Sequence, residues 1–467
     1  MDIESQVMGR YFDRTSESER QYTESMRWLP GGDTRTINHY SPYPLVLERG
    51  SGCFIKDIDG NQYLDFLNNY SALIHGHAHP AVSSAIARQA ERGTALGAPS
   101  AVQAGHARLI SERVRSVSQV RYCNSGTEAT LFAIRAARAF TGKDLIVKVD
   151  GGYHGTHDVV EVNMFVSPHG QAPVGLPDSF PPVHAPAGVP VGTADQVLVV
   201  PFNDAAAVRY LFERYEGRIA ALIVEPMLAA GGGIRPHDGY LLALRELASA
   251  HGVLLIFDEV ATFRLGPLQN ETGVEPDLTA LGKIIGGGLP IGAFGGRQDI
   301  MMQFDPSRED PLYHSGTFCG NDITLAAGIA ALEHYDEQEM RRLNSLGELL
   351  LESITAAAAG EGIKGAATGI GSYGHFHWGE GTVRDARDVY ARTRNLGALP
   401  TLFHLEMLNR GVFMSRRSLL CLSTPMTREH VDSFLHAFTG TLRTLRPYIA
   451  AAHPNLLVPA RAAHLVQ

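Results

Sequence analysis

The chain has 467 residues, 44% of them hydrophobic and 19% charged, and a formal net charge of −9. That balance offers no basic surface for nucleic acid, and no apolar run approaches the roughly 18 residues of a membrane span. The four cysteines, Cys53, Cys123, Cys319 and Cys421, stand far apart with no C-x-x-C spacing, so neither a disulfide framework nor a zinc site is suggested and a reducing, cytoplasmic setting is expected.

The elements can be taken in chain order. Residues 1 to about 28 are too charged for a secretory h-region and carry the pattern of a polar amphipathic helix ending at "LPGGD". "LVLERGSGCFIKDIDGNQYLDF" alternates apolar and polar residues around the turn signal Asp59-Gly60 and predicts short antiparallel strands. "HGHAHP", with alternating histidines at His75, His77 and His79, precedes a helical pattern and is read as a turn rather than a metal site. The apolar runs "LIVKVD" (145–150), "VLVVPF" (197–202), "IAALIVEP" (219–226) and "VLLIFDEV" (253–260) read as buried strands. Helical patterns such as "TEATLFAIRAARAF" and "YLLALRELASAHG" lie between several of them, which predicts an α/β domain with a mostly parallel sheet. The Pro- and Gly-rich stretch 185–196 is expected to be a surface loop. Beyond about residue 330 the chain turns helix-rich, then gives short strands and a last helix. The expected organisation is a large domain over 85–330 and a smaller α+β domain built from 1–84 and 331–467.

Ligands of open α/β sheets bind outside the carboxyl ends of the strands. Three runs end in acids there: Asp150, Glu225 and the pair Asp258-Glu259. "NSGTEAT" (124–130) opens a helix with small residues and hydroxyls, which suits either a phosphate cradle or a capping box from Ser125 to Glu128. "GGYHG" sets Tyr153 and His154 just past a strand, where an aromatic ring can stack on a flat ligand. "GIGSYG" (369–374) fits G-x-G-x-x-G but leads into strand-like "HFHW", so it lacks the context of a dinucleotide site. In "LTALGKIIGGGLPIGAFGG", Lys283 ends an apolar run and precedes three glycines. A lysine for a Schiff base, a strand-end acid for a ring nitrogen and a phosphate clamp are together what pyridoxal 5′-phosphate requires.

Over nearly its whole length the sequence resembles the class III (ω-) aminotransferases of the PLP-dependent transferase fold type I. The resemblance rests on "NSGTEAT", "GGYHG", "VEPM", "LLIFDEV", "LTALGKIIGGGLPIGAFGG" and "GTFCGN", in that order. It implies that Lys283 forms the Schiff base with the cofactor and that Asp258 pairs with its ring nitrogen. Ser125, Gly126 and Thr127 would hold the phosphate, with Tyr153 on one ring face and Val260 on the other. Glu225 would lie beside the cofactor and support His154 or the Asp258 network. Thr317 would reach the phosphate of a neighbouring subunit, implying a homodimer with shared active sites. Two branches are resembled most: β-amino acid (β-phenylalanine type) aminotransferases and glutamate-1-semialdehyde 2,1-aminomutases. The aminomutases usually continue Asp-Glu-Val with Met-Thr-Gly-Phe-Arg, whereas this chain reads "DEVATFRLGPLQNETG". Arg35 and Arg417 match carboxylate-binding positions of the β-phenylalanine branch, although Arg416 leaves a second register open. Tyr43 and Tyr70 are candidate pocket walls. The expected activity is ping-pong transfer of an amino group from a β-amino acid or related amine to 2-oxoglutarate or pyruvate, with the aminomutase and a non-catalytic relative as alternatives.

Overall fold

The computed structural model describes residues 2–167, 169–170 and 175–459, and these divide into two units. The smaller gathers the described residues up to His79, Arg342–Thr382, and those from Ala391 on. The larger holds Pro80–Arg341 and Val383–Tyr390. The dividing points therefore fall at 79/80 and 341/342, not at 84/85 and 330/331. The reason is packing: the helix Pro80–Ala90 joins the helix Asp322–Glu333 in one apolar cluster of Val82, Ala85, Ala327, Ala330 and Ala331.

In the smaller unit the segment expected as one helix over 1–28 is two, Ile3–Arg14 and Ser16–Ser25. The break is at Thr15, with φ −132° and ψ 34°. Its hydroxyl donates to the Tyr11 carbonyl at 2.6 Å, a local bond that competes with helix continuation. Strands β1 (Leu47–Ser51), β2 (Phe54–Asp57) and β3 (Gln62–Asp65) follow as antiparallel hairpins. Asp57, fully buried at the second turn, accepts from Asn61 N–H and from the Tyr63 hydroxyl, each at 2.7 Å.

The larger unit is built on seven strands: β4 (Gln119–Cys123), β5 (Leu145–Val149), β6 (Val197–Val200), β7 (Ile219–Val224), β8 (Leu254–Asp258), β9 (Leu278–Gly282) and β10 (Gly292–Gly296). Their order across the sheet is β4-β10-β9-β8-β7-β5-β6. The pairings from β6 through β9 are parallel, and β10 runs antiparallel to both β9 and β4. Every residue of β5, β7, β8 and β9 is buried, because helices cover both faces. Gly126–Thr141 packs one apolar layer, while Ala205–Arg214 and Tyr240–His251 pack the other. The stretch 185–196, expected as loop, contains a one-turn helix, Val191–Ala194.

The chain returns to the smaller unit with β11 (Gly365–Ile370) and β12 (Tyr373–Trp378), an antiparallel hairpin whose turn is the "GIGSYG" stretch. β13 (Val412–Phe413) adds in parallel to β3, and β14 (Leu419–Cys421) adds to β12. Among the described residues no helix is long and apolar enough to cross a membrane.

Candidate active site

The site of the larger unit is built at the carboxyl ends of its parallel strands. β8 ends at Asp258, only 4% exposed. Its Oδ1 accepts the Val260 N–H at 3.0 Å and its Oδ2 lies 2.9 Å from His154 Nδ1. Burial holds the His154 imidazole below its ordinary pKa, and the pull of Asp258 in the other direction is weaker. The neutral ring therefore donates Nδ1–H to the carboxylate. Its Nε2 is buried without a hydrogen-bond partner among the described residues.

At the edge of the same sheet, the loop after β4 enters the helix Gly126–Thr141 through Ser125, whose hydroxyl accepts from Glu128 N–H at 3.2 Å. Glu128 in turn accepts from the N–H of Asn124, one residue before the cap, at 2.5 Å, so only the Ser125 half of a capping box is formed. The first-turn N–H groups of such a helix still have no partner within it and point toward any anion placed there. Thr127 Oγ1 accepts from Thr156 N–H at 3.3 Å, which ties this helix start to the "GGYHG" loop. Val260 is packed against the same turn: a Cβ at Gly126 would meet its methyl carbons at 3.2 and 3.3 Å.

Tyr153 is 38% exposed, an open ring in an otherwise buried loop. Its backbone N–H donates to Glu225 Oε1 at 3.0 Å, and Ala229 N–H donates to Oε2 at 3.2 Å. Glu225 directly follows β7 and is 3% exposed. Burial first, and then the charge of Asp258, push its pKa from 4.5 up to about 8. The folded protein thus keeps a proton that the unfolded chain releases between pH 4.5 and about 8, so stability falls as pH rises through that window. Glu225→Gln should remove this component: the wild-type Tm falls more steeply than the variant's between those pH values. Parallel Tm–pH curves for the two proteins would contradict a protonated Glu225.

Lys283 follows β9 directly, and Ala280 of that strand is paired with Asp258. Its φ of +51° is left-handed, which costs a non-glycine residue roughly 1–2 kcal/mol. The Lys283 charge also acts on Glu225, lowering its pKa against the larger effect of burial. The glycines around the lysine let backbones meet: a Cβ at Gly292 would collide with the Ser125 carbonyl. An amine, a buried acid, a helix start and an open aromatic ring thus converge within one unit.

The family model for class-III aminotransferases matches residues 36–405. The chain belongs to this family. It is 39% identical to the β-phenylalanine transaminase of Variovorax paradoxus over 92% of this chain and 93% of that one. It is equally 39% identical to a glutamate-1-semialdehyde 2,1-aminomutase of Bacillus pumilus, over 94% and 100% of the two chains. Among solved structures, an ω-transaminase from Sphaerobacter thermophilus superposes with a TM-score of 0.88 at 40% identity, covering 92% of this chain and 98% of that one. The V. paradoxus β-phenylalanine aminotransferase gives 0.85 at 36% identity, covering 98% and 99%.

Class III aminotransferases depend on pyridoxal 5′-phosphate, and the fold is that of the PLP-dependent transferases of type I. The residues of this aminotransferase fit the group. Asp258 supplies a buried carboxylate fixed from two sides, and Gly126 at the helix start carries no side chain of its own.

Other features of the aminotransferase lie elsewhere. In the smaller unit Arg35 is exposed, with its guanidinium 5.1 Å above the Tyr70 ring and Nη1 donating to Asn69 Oδ1 at 2.7 Å. Arg417 and Arg416 are exposed as well, and both act electrostatically on the Tyr70 phenol. Tyr43, expected as a pocket wall, is 3% exposed and packed on Tyr11 and Phe12, with its hydroxyl 3.0 Å from Thr15 Oγ1. It is a core residue of the smaller unit, since an apolar ring with a partnered hydroxyl belongs inside. His77 is bonded to Asp65 at 2.7 Å, which fixes the histidine turn against β3. Thr317 is exposed, between Tyr313 at 78% and Phe318 at 59% exposure.

Asp150, a strand-end acid in the sequence, anchors loops: Asn163 donates to it and Arg387 pairs with it, each at 2.7 Å. Lys148, fully buried in β5, donates to the carbonyls of Gly152, Val160 and Val162 around the Tyr153 loop. Its only sequence signal is a charge inside a run of β-branched residues.

Proposed function

We propose that this aminotransferase moves an amino group from a β-amino acid or a related amine to a keto acid such as 2-oxoglutarate or pyruvate, in two half-reactions on one site. The observation that carries the donor class is the cationic cluster of Arg35, Tyr70 and Arg417 in the smaller unit. A planar guanidinium grips a carboxylate through two parallel bonds, so Arg35 and Arg417 are assigned to substrate carboxylates. Asn69 and the Tyr70 ring orient Arg35, and Tyr70 contributes a wall. The similarity to the V. paradoxus β-phenylalanine transaminase supports the same reading.

When bound, pyridoxal phosphate supplies an aldehyde that condenses with amines and a cationic ring that takes up the electrons of a broken Cα–H bond. Ser125, Gly126 and Thr127 hold its phosphate through backbone N–H and hydroxyl groups. Tyr153 and Val260 would pack against the ring. Asp258, steadied by His154, keeps a proton on the ring nitrogen, and Glu225 steadies the Tyr153 loop. Lys283 would hold the cofactor between turnovers and, as a free amine, would take up and return the substrate's proton. Thr317 completes the phosphate site of a second copy in a homodimer, and the exposed rings of Tyr313 and Phe318 beside it are suited to burial there. The working location is cytoplasmic.

A second reading, the glutamate-1-semialdehyde aminomutase, is supported by the similarity that runs the full length of the B. pumilus protein. One assay separates the two. The enzyme, mixed with β-phenylalanine and 2-oxoglutarate, should form glutamate, and the active species should sediment as a dimer. Absence of glutamate together with conversion of glutamate-1-semialdehyde to 5-aminolevulinate would replace the first reading by the second. An active monomer would remove the role of Thr317.

A further inference from the structure

Lys283 combines chemistry with left-handed backbone, and such a conformation persists only where its surroundings over-determine it. On its N-terminal side the sheet does this, since Gly282 pairs with Gly292 and Leu281 with Ala293. On its C-terminal side the chain leaves the sheet as a short 3₁₀ turn, Lys283–Gly286. What grips that turn is His106, fully buried in the helix Ala101–Arg113.

His106 Nε2 lies 2.8 Å from the Ile285 carbonyl oxygen, and Nδ1 lies 2.8 Å from the Tyr122 hydroxyl. A carbonyl only accepts, so Nε2 carries the hydrogen. Burial holds the ring neutral, with its pKa down to about 4, so Nδ1 accepts from the Tyr122 O–H. Tyr122 belongs to β4 and pairs with Ala293 of β10, which pairs with Leu281 two residues before the lysine. The bonds therefore close a ring from Leu281 through two strands, Tyr122 and His106 back to Ile285. Gly328 completes the fit: a Cβ there would collide with the Ile285 carbonyl and lie 2.7 Å from His106 Nε2.

We infer that His106, oriented by Tyr122, is a positioning residue that fixes the left-handed turn from which Lys283 reaches the reacting atoms. The inference rests on the assignment of Lys283 as the amine that holds the cofactor. A histidine that merely fills the core would be replaced by phenylalanine without effect on the lysine, whereas a hydrogen-bonding strut would not.

The test compares His106→Phe, His106→Gln and Tyr122→Phe in the cofactor-loaded enzyme and in the cofactor-free protein. In His106→Phe, kcat should fall roughly tenfold or more while KM for the amino donor stays within about twofold. The pH midpoint of the visible absorbance of the lysine-bound cofactor should move. In the cofactor-free protein, amide exchange over 281–289 should quicken by about tenfold with other segments unchanged. His106→Gln, whose amide N–H can still meet the Ile285 carbonyl, should bring kcat back to within about threefold of wild type. Wild-type kcat, midpoint and exchange in His106→Phe overturn the inference, as does a glutamine variant no better than the phenylalanine one. If His106→Phe does not fold, Tyr122→Phe decides: faster exchange over 281–289 supports the strut, and unchanged exchange overturns it. Loss of the Lys283 assignment would show separately, as a Lys283→Ala enzyme that still turns over, and would leave the exchange result standing.

Discussion

Lys283→Ala should lower turnover by at least about 10⁴-fold, since it removes both a covalent anchor and the group that shuttles a proton. The effect on folding should be small. Alanine keeps the backbone, Lys283 is only half-buried, and β9 and its neighbours remain paired. The variant should retain pyridoxal phosphate without a covalent bond, because the phosphate and ring contacts come from other residues. Its absorbance should then match the free aldehyde in place of the lysine-bound form. Small primary amines added to the medium should restore a measurable fraction of the rate, as they supply the missing proton carrier. A variant that turns over like wild type, or that keeps the lysine-bound spectrum, would disprove the assignment.

The second large effect is at Asp258. Asp258→Asn preserves the side chain's shape and the oxygen that accepts from Val260 N–H. It removes the negative charge that holds a proton on the ring nitrogen, and its amide N–H₂ can face His154 Nδ1 only if that ring changes tautomer. Losing a preorganised charge in a dry site lowers rates by about 10²–10³-fold, and that is the expected fall in kcat. The Tm should change little, because the variant no longer buries a charge. Activity within about threefold of wild type would show that another group holds the ring proton.

Much of the larger unit was legible because its strands are covered on both faces and so read as unbroken apolar runs. The four runs named from the sequence became β5, β6, β7 and β8, each within two residues at its ends. The acids at their ends were legible for the same reason, since a carboxylate after five buried residues stands out. Their different tasks were not. Asp150 is occupied by Asn163 and by Arg387, the second of which reaches it because 383–390 belongs to the larger unit. Glu259 is fully buried and accepts from Thr262 and from Gln269 N–H, so it braces the next turn. Only Asp258 faces His154.

The smaller unit was harder to read. Tyr43 carries the same residue type as Tyr70, and no local pattern separates a core tyrosine from one beside an arginine. Residues 68–71 form a turn in which Asn68, Asn69, Tyr70 and Ser71 all have positive φ, between 47° and 71°. Asp65 stabilises it by accepting from Leu67 N–H and Asn68 N–H at 2.8 and 2.9 Å. The pair of asparagines tolerates that backbone, but a run of four such residues arises only from these surrounding bonds.

By itself the sequence determined the α/β class and the family and singled out the residues proposed to meet the cofactor, because these depend on apolar runs and on motifs short enough to be contiguous. Tertiary structure alone decided what surrounds them. It brought His154 to Asp258 across 104 positions of chain and His106 to Ile285 across 179. It also set which acid faces His154 and which ones hold loops. Those choices depend on burial and on partners distant in sequence, which set a side chain's charge and direction and leave no mark in its local neighbours.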